Sequence, residues 1–275
     1  MMLPLIPQIT FKPVVTLALA VLLVGCGTQP SIVERDGIDH TFPPPTDIDS
    51  IPDAIPKVEP ISRYGNPESY TVFGREYRTL TDRRDYRERG IASWYGSKFH
   101  GKRTSSGEPY DMYDMTAAHK SLPLPTYARV TNLQNGQSVV VKINDRGPFH
   151  GNRLIDLSYT AAWKLDIAQN GTGLVEVEAI DLSTPEPVPM PVQVETGLPE
   201  IFLQVGAFGS AHNANRLKNR LQTELNTDVL IQEAISSDPP LFRVQVGPIA
   251  SIELCDHLAD KLSGLGIPEA RLVIR

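Results

Sequence analysis

Apolar and polar side chains alternate along several short runs between residues 66 and 182. An alternation with a period of two predicts strands that bury one face. The predicted strands cover residues 90–95, 127–133, 138–144, 153–157 and 174–180. Asn135-Gly136 lies between two of them and favours a tight hairpin. Ser158 can cap a short helix over 159–165, and many short strands with one small helix predict a compact β-barrel.

Residues 199–275 follow a different pattern, in which predicted strands alternate with predicted helices. The strands are expected at 201–207, 229–234, 241–246 and 271–275. Helices are expected after the capping residues Ser210 and Ser251, because apolar side chains there recur every three or four residues. The order is βαββαβ, which predicts one sheet with two helices on one side. Cys255 lies on the apolar stripe of the second helix, so we expect a buried and unreactive thiol.

The beginning of the chain has the pattern of a secretion signal. Residues 14–24 are apolar, follow a single positive charge, and are fewer than the about 20 residues of a membrane-spanning helix. Residues 23–26, LVGC, resemble the bacterial lipobox. That resemblance implies removal of residues 1–25 and lipid attachment to Cys26, and the glycine that follows implies the outer membrane. An ordinary signal peptide with an incidental cysteine is the alternative.

Two proline-rich segments divide the rest of the chain. Residues 30–67 contain eight prolines among acidic and small polar side chains, and residues 185–199 contain five. Such segments bury too little apolar surface to offset the entropy of ordering them. The predicted division is a disordered tether at 26–65, a barrel domain at 66–182, a linker at 183–198 and a second domain at 199–275.

The distribution of charge excludes one class of partner. The chain has 26 basic and 32 acidic side chains, a formal net charge of −6. Residues 63–198 hold sixteen of each sign, and residues 199–275 hold seven basic and nine acidic side chains. Neither domain has the positive excess that a nucleic-acid binder needs, so a polar ligand without strong charge fits better.

Two long motifs occur in order within the first domain. They are GIASWYGSKFHGKRTSSGEPYDMYDMTAAHKSLPLPTYARVTNL at 90–133 and VVVKINDRGPFHGNRLIDLS at 139–158. Together they closely resemble the rare lipoprotein A family of septal lytic transglycosylases. In the second domain, FLQVGAF at 202–208 and FRVQVGP at 242–248 resemble the SPOR domain.

These resemblances imply both a fold and a function. The first implies a six-stranded double-psi β-barrel that cleaves peptidoglycan glycan strands endolytically, leaves 1,6-anhydro ends and needs no cofactor. The second implies a domain that binds glycan strands stripped of their stem peptides, which are enriched at division sites. A non-catalytic wall-binding lipoprotein and a glycan hydrolase are the alternatives.

Cleavage of a glycosidic bond needs an acid that protonates the leaving oxygen. Glu108 and Asp111 lie three residues apart on a segment that Pro109 excludes from a helix interior. Two carboxylates close together favour protonation of one of them, which suits an acid that works near neutral pH. A solvated turn is the alternative, and the family's functional carboxylates match these two positions.

Two further residues complete the predicted catalytic group. Asp145 ends an apolar strand, where partial desolvation favours the protonated carboxyl, although Arg146 beside it favours the charged form. We expect Asp145 as the first candidate for the acid and Asp111 as the second. His119 could orient a carboxylate as a neutral imidazole, a role that the resemblance favours over a purely structural one. The histidines lack metal-ligand spacing, so no metal is predicted.

Trp94 and Tyr95 are candidate stacking surfaces for sugar rings, together with Phe99. Neighbouring strand residues point to opposite sides, so at most one of Trp94 and Tyr95 is expected to face a substrate. A place in the barrel core is the alternative for these aromatic residues.

Strand alternation in the second domain separates a core face from an open face. The open face is expected to carry Phe202, Gln204, Arg243 and Gln245. Amides, a guanidinium and an aromatic ring would form a sugar-binding surface, and a plain solvated sheet face is the alternative.

Overall fold

The structure is a computed structural model that describes residues 45–182, 199–234 and 240–275. The predicted signal peptide, Cys26 and the linker at 183–198 lie outside these ranges. Within them, no helix combines the length and the apolar character that crossing a membrane requires.

Six strands of the first domain close into a barrel with the order β3-β7-β4-β6-β5-β8. The elements are β1 (Ser69–Val72), β2 (Arg75–Arg78), β3 (Arg87–Trp94), β4 (Thr116–His119), β5 (Thr126–Asn132), β6 (Ser138–Asp145), β7 (Arg153–Leu157), α1 (Tyr159–Lys164) and β8 (Thr172–Ala179). The β3–β7 and β4–β6 pairs are parallel, and the other barrel pairs are antiparallel. The predicted six-stranded barrel is confirmed, and β1 and β2 form a separate hairpin.

Local sequence signals account for several of these elements. The β5–β6 hairpin turns at Asn135-Gly136, where Gly136 has a φ of +75°. The Ser158 hydroxyl caps α1 by accepting a hydrogen bond from the backbone N–H of Ala161 at 3.3 Å. The strand alternation in β5 and β6 buries Val130, among others, in the interior of the barrel. These features agree with the predicted hairpin and helix start.

Residues 45–65 pack against the barrel, so the predicted disordered tether is wrong for this part of the chain. Asp53 accepts a hydrogen bond from the backbone N–H of Val140 at 2.8 Å. Further along, the backbone N–H of Ser62 donates to the carbonyl of Leu124 at 2.8 Å. The proline-rich composition predicted disorder because composition alone does not reveal which distant residues a segment will contact. The packed structure therefore begins before the predicted domain boundary.

The second domain has the predicted βαββαβ order. Its elements are β9 (Ile201–Phe208), α2 (Ala211–Leu225), β10 (Val229–Ala234), β11 (Leu241–Ile249), α3 (Ile252–Gly264) and β12 (Arg271–Ile274). The antiparallel sheet has the order β10-β11-β9-β12. Cys255 is fully buried, as predicted, and burial raises the pKa of its thiol to about 12.

The two domains share an apolar contact. Ile91 of β3 and Leu174 of β8 are buried in the same apolar cluster as the core of the second domain. A salt bridge joins the Arg153 guanidinium to Asp256 at 2.7 Å. The described parts of the two domains therefore pack directly on each other.

Candidate active site

Glu108 and Asp111 lie on a loop between β3 and β4 that is tied to the end of β6. The backbone N–H of Thr104 donates to the carbonyl of Glu108 at 2.8 Å, which closes a tight turn. Gly107 has a φ of +95° within this turn, a conformation that other residues rarely adopt. The backbone N–H of Ser106 then donates to the carbonyl of Asn144 at 3.2 Å. These bonds place the Glu108 side chain beside β6.

Glu108 is paired through both of its carboxylate oxygens. Lys142 Nζ lies 2.7 Å from Oε1, and Asn144 Nδ2 donates to Oε2 at 2.8 Å. Partial burial raises the pKa of Glu108, but the hydrogen bonds and the charge of Lys142 outweigh it, so the pKa lies below its ordinary value. Glu108 is therefore ionised near neutral pH, and it does not suit the role of the proton donor.

Lys142 also binds a residue that the sequence patterns did not select. Its Nζ lies 3.2 Å from Glu59 Oε2, and the Tyr127 hydroxyl donates to Glu59 Oε1 at 2.5 Å. The hydrogen bond from Tyr127, opposed by burial and helped by Lys142, holds the pKa of Glu59 below its ordinary value. Glu59 belongs to the segment predicted as a tether, so no sequence signal placed it at the barrel. Together Glu59, Lys142 and Glu108 form one charged group.

Asp111 lies further along the same loop and is more accessible. Its side chain is 48% exposed, and its Oδ1 accepts a hydrogen bond from the backbone N–H of Tyr113 at 2.9 Å. The same oxygen lies 3.5 Å from His100 Nδ1. Because nearly half of its surface is open, Asp111 can reach a ligand that approaches from solvent.

Asp114 is a further carboxylate of this loop, and its protonation differs from that of Glu108. Partial burial, together with the negative charges of Asp111 and Glu108, raises the pKa of Asp114. The expected effect of neighbouring carboxylates is therefore present, but it falls on a residue that was not among the predicted catalytic residues. Spacing along the chain could not decide which of the three carboxylates would be affected.

Asp145 holds the loop in place. Its Oδ1 accepts hydrogen bonds from the backbone N–H and the hydroxyl of Ser105, at 2.7 and 2.6 Å. It also accepts one from the backbone N–H of Arg146 at 2.7 Å. Oδ1 of Asp145 thus links the end of β6 to the loop that carries Glu108. This arrangement suits a residue that positions the loop.

The hydrogen bonds of His119 do not match the prediction that it orients a carboxylate. His119 is buried, and its Nδ1 accepts the backbone N–H groups of Ser121 and Leu122 at 3.2 and 3.0 Å. Its Nε2 lies 2.9 Å from the Tyr86 hydroxyl, which in turn donates to Glu88. Burial, helped by nearby cations, lowers the pKa of His119 to about 3, so the expected neutral imidazole is present. Its hydrogen bonds stabilise the turn after β4 and do not reach Glu108, Asp111 or Asp145.

The aromatic residues at and after the end of β3 separate as the strand geometry predicts. Tyr95 is buried and stacks on Tyr110 with ring centroids 4.0 Å apart, so it is part of the core. Trp94 is partly exposed, and its Nε1 donates to the carbonyl of Ala168 at 3.2 Å. Phe99 is 40% exposed. Trp94 and Phe99 thus keep accessible surface, whereas Tyr95 does not offer a free face to a sugar.

Comparisons with known proteins agree with this architecture. A family model described as lytic transglycolase matches residues 87–178, and a SPOR domain model matches residues 200–270. The endolytic peptidoglycan transglycosylase RlpA of Pseudomonas aeruginosa (strain UCBPP-PA14) is 39% identical over 81% of this chain and 81% of its own length. The protein of the same name from Vibrio cholerae is 37% identical over 92% of this chain and 94% of its own.

This chain belongs to the RlpA family. Its barrel is the double-psi β-barrel of that family, and its second domain is a SPOR domain. Among solved structures, the crystal structure of the RlpA SPOR domain from Pseudomonas aeruginosa is 30% identical over 26% of this chain and 96% of its own, with a TM-score of 0.26.

The sheet face of the SPOR domain is less open than predicted. Phe202 and Gln245 are 2% and 1% exposed, so they are not available to a ligand. The Arg275 guanidinium lies 4.4 Å from the centre of the Phe202 ring and donates a hydrogen bond to Gln245. Alternation did not reveal that Arg275 covers this face. Gln204 and Arg243 keep partly exposed side chains.

No group of three or more His, Cys, Asp or Glu side chains in residues 45–182, 199–234 and 240–275 is arranged to hold a metal ion.

Proposed function

We propose that this chain is an endolytic lytic transglycosylase that cleaves stem-peptide-free peptidoglycan strands and leaves 1,6-anhydro-muramic ends. The observation that carries this proposal is the ion pair between Glu108 and Lys142 at 2.7 Å. The half-exposed Asp111 lies on the same loop as Glu108. An accessible carboxyl group can give a proton to the leaving oxygen and take one back, and an ionised carboxylate on the same loop can stabilise positive charge. The relatives named RlpA support the choice of reaction.

Asp111 is the proposed proton donor, in preference to Asp145. Asp111 donates its proton to the leaving glycosidic oxygen while the bond between that oxygen and C1 breaks. The C6 hydroxyl of the same muramyl residue attacks C1, and its proton passes to the Asp111 carboxylate, which restores the acid. No water is consumed. Glu108, held ionised by Lys142 and Asn144, stabilises the positive charge that develops on the sugar ring.

The test measures release of anhydro-ended fragments from purified stem-free strands. Asp111→Asn should lower the rate about 10²–10⁴-fold, the range of general acid catalysis, while circular dichroism shows an unchanged fold. Asp166→Asn is the matched control, because Asp166 is exposed and has a φ of +58°, which asparagine tolerates equally. Its rate should equal that of the wild type.

Other results would identify a different catalytic acid or a different type of reaction. Near wild-type rates for Asp111→Asn, with a large loss for Asp145→Asn, would move the acid to Asp145. Reducing ends in place of anhydro ends would identify a hydrolase. A complete lack of products from the wild-type chain would leave only a wall-binding lipoprotein.

The SPOR domain is proposed to bind the stem-free strand through the partly exposed surface around Gln204 and Arg243. Gln204→Ala with Arg243→Ala should weaken binding of the full chain to stem-free strands without unfolding it. The experiment uses the Asp111→Asn background, so that the strands stay intact. Equal affinity of the double variant and its parent would reject this surface. Wall that carries its stem peptides should bind more weakly to both proteins.

Lipid on Cys26 is proposed to anchor the chain to the periplasmic face of the outer membrane, enriched at the division site. The support is the lipobox-like sequence of residues 23–26, which lies outside the described residues. Cys26→Ala should leave the protein without an acyl chain and remove it from the membrane fraction. A wild-type N-terminus without acyl mass, or unchanged fractionation of the variant, would contradict the anchor.

A further inference from the structure

Residues 53–65, here called the arm, run beside the loop between β3 and β4. The Ser62 hydroxyl donates a hydrogen bond to the carbonyl of Ser106 in this loop at 3.2 Å. A Cβ on Gly65 would lie only 2.7 Å from the carbonyl oxygen of Ser105. The backbone at the end of the arm is therefore in direct contact with the loop that carries the candidate carboxylates.

The arm turns one face to the barrel domain and another to solvent. Asp53, Glu59 and Ser62 contact the barrel domain, and their spacing is a multiple of three residues. A period of three is that of a polyproline II helix. The side chains on a second face of the same period are apolar and exposed, namely Ile55, Val58, Ile61 and Tyr64. Contiguous exposed apolar side chains of this kind mark a binding surface.

Tyr64 is the member of this exposed face that reaches the carboxylate loop. Its Cδ2 lies 3.7 Å from the position that a Cβ on Gly107 would occupy, and Gly107 directly precedes Glu108. Among the described residues, which include all nine tyrosines of the chain, Tyr64 is the one exposed tyrosine, at 61%. The Arg63 guanidinium lies 5.8 Å from the centre of its ring, and most of the Tyr64 surface stays open.

Three accessible groups therefore follow one another along this loop. Tyr64 lies at the Gly107 end, and Glu108 and Asp111 are 43% and 48% exposed. A glycan strand is a linear chain of sugar rings, and each ring has an apolar C–H side that an aromatic ring can cover. A strand that is cleaved in its interior continues past the reacting bond in both directions. At the Glu108 end of the loop, it meets Tyr64.

We infer that Tyr64 stacks on a sugar ring of the glycan strand, on the Glu108 side of the bond that is cleaved. The inference rests on the proposed function, which supplies the strand. Tyr64 precedes residues 87–178, which match the lytic transglycolase model, so this contact lies outside the barrel that the model describes. Tyr64 takes no part in proton transfer. It acts by covering the apolar side of a sugar that does not react, which stabilises the bound strand and the transition state equally.

Steady-state cleavage of purified stem-free strands by the full chain separates binding from chemistry. Tyr64→Ala should raise KM about two- to tenfold, the range of an aromatic stacking contact, and leave kcat unchanged. Tyr64→Phe keeps the ring and should match the wild type. Ile55→Ala is the matched control, because Ile55 belongs to the same exposed face but follows Ala54, which bonds to Val140. Val140 lies about 13 Å along β6 from Asn144, the residue that binds the loop.

Chemical protection tests the same contact without relying on cleavage. Tetranitromethane nitrates accessible tyrosine rings, and mass spectrometry of peptides locates the modified residue. In the full chain carrying Asp111→Asn, Tyr64 should be nitrated before the other tyrosines, because it alone is exposed. Saturating stem-free strand should slow the nitration of Tyr64. This experiment uses the native tyrosine, so it stays valid even where Tyr64→Ala fails to fold.

An unchanged KM for Tyr64→Ala, or equal increases for the alanine and phenylalanine variants, would overturn the inference. Nitration of Tyr64 that slows as the protein concentration rises, with no strand present, would identify a second copy of the chain as the occupant of this face and would also overturn it. Anhydro products from the wild type without protection of Tyr64 would reject the contact and retain the enzyme. Protection of Tyr64 without any products would do the reverse.

Discussion

Lys142→Met removes the cation that Glu59 and Glu108 share and keeps a side chain of similar length. In the native protein, Lys142 Nζ lies 3.2 Å from Glu59 Oε2 and 2.7 Å from Glu108 Oε1. The substitution leaves two carboxylates close to each other without their common partner. We therefore expect a loss of stability and a change in the protonation of Glu108.

The size of the loss follows from the exposure of the three side chains. Lys142 is 16% exposed and Glu59 is 23% exposed, so their pair is largely shielded from water. A charged hydrogen bond of this kind contributes about 1.5–3 kcal/mol. Glu108 is 43% exposed, and an exposed ion pair contributes about 0.2–1 kcal/mol. Lys142→Met should lower the free energy of unfolding by about 2 kcal/mol at pH 7.

The loss should depend on pH in a defined direction. The pKa values of Glu59 and Glu108 both lie below their ordinary value of 4.5 in the folded chain. Groups of this kind stabilise the fold above the unfolded pKa, and the contribution disappears as the pH falls through the folded pKa. Urea unfolding of the variant and the wild type should therefore differ at pH 7 and converge as the pH falls well below 4.5.

Glu59→Gln provides the matched comparison because it keeps the pair between Lys142 and Glu108. The charge of Glu59 raises the pKa of Glu108, so its removal should move the acidic limb of the pH–rate profile to lower pH. Lys142→Met should move that limb to higher pH. A stability loss that is the same at pH 7 and at low pH would refute the argument, since Lys142 would then act through packing of its alkyl chain. The argument would also be refuted if the acidic limbs of the pH–rate profiles of Glu59→Gln and Lys142→Met shifted in the same direction.

Three further predictions concern residues outside this group. His119→Ala should lower the free energy of unfolding by about 2–4 kcal/mol in urea titrations, and the pH–rate profile of the folded fraction should not shift, because an imidazole with a pKa of about 3 is already neutral. Cys255→Ser should cost about 1–3 kcal/mol, because it buries a hydroxyl, and the wild-type thiol should resist a thiol reagent at pH 8 until the chain unfolds. Arg146→Lys should lower the free energy of unfolding by about 2–4 kcal/mol and expose residues 62–66 to proteolysis. The reason is that a lysine cannot replace the guanidinium donors to the carbonyls of Gly65 and Leu122. Unchanged rates of proteolytic cleavage would contradict this.

Several features of the fold follow from local sequence. The alternation in β5 and β6, the Asn135-Gly136 turn and the Ser158 cap depend on neighbours within a few residues, so they can be predicted. The strand β4 was not predicted, since its sequence TAAH has neither a strong strand preference nor an alternating pattern. It becomes a strand because β6 and β7 pair with it on both sides.

The candidate site was likewise predictable from the sequence only in part. The motifs selected Glu108, Asp111 and Asp145, but the partners that set the charge of Glu108 are distant in sequence. Lys142 lies 34 residues from Glu108 and 83 from Glu59, a separation that no spacing rule connects. His119 was correctly expected to be neutral. The partner of its imidazole, Tyr86, depends on how β4 packs against the start of β3, so the expected contact with a carboxylate was wrong.

Periodicity and motifs thus determined five of the six barrel strands, the βαββαβ second domain and the loop that carries Glu108 and Asp111. Each of these depends on residues close together in the chain, whose backbone preferences and burial pattern are properties of the sequence itself. Tertiary structure alone decided that residues 45–65 pack on the barrel, that Arg275 covers Phe202, and that Lys142 joins Glu59 to Glu108. These contacts form only when segments far apart in the chain are brought together by the closed barrel and the packed sheet, so their energies cannot be read from any one segment.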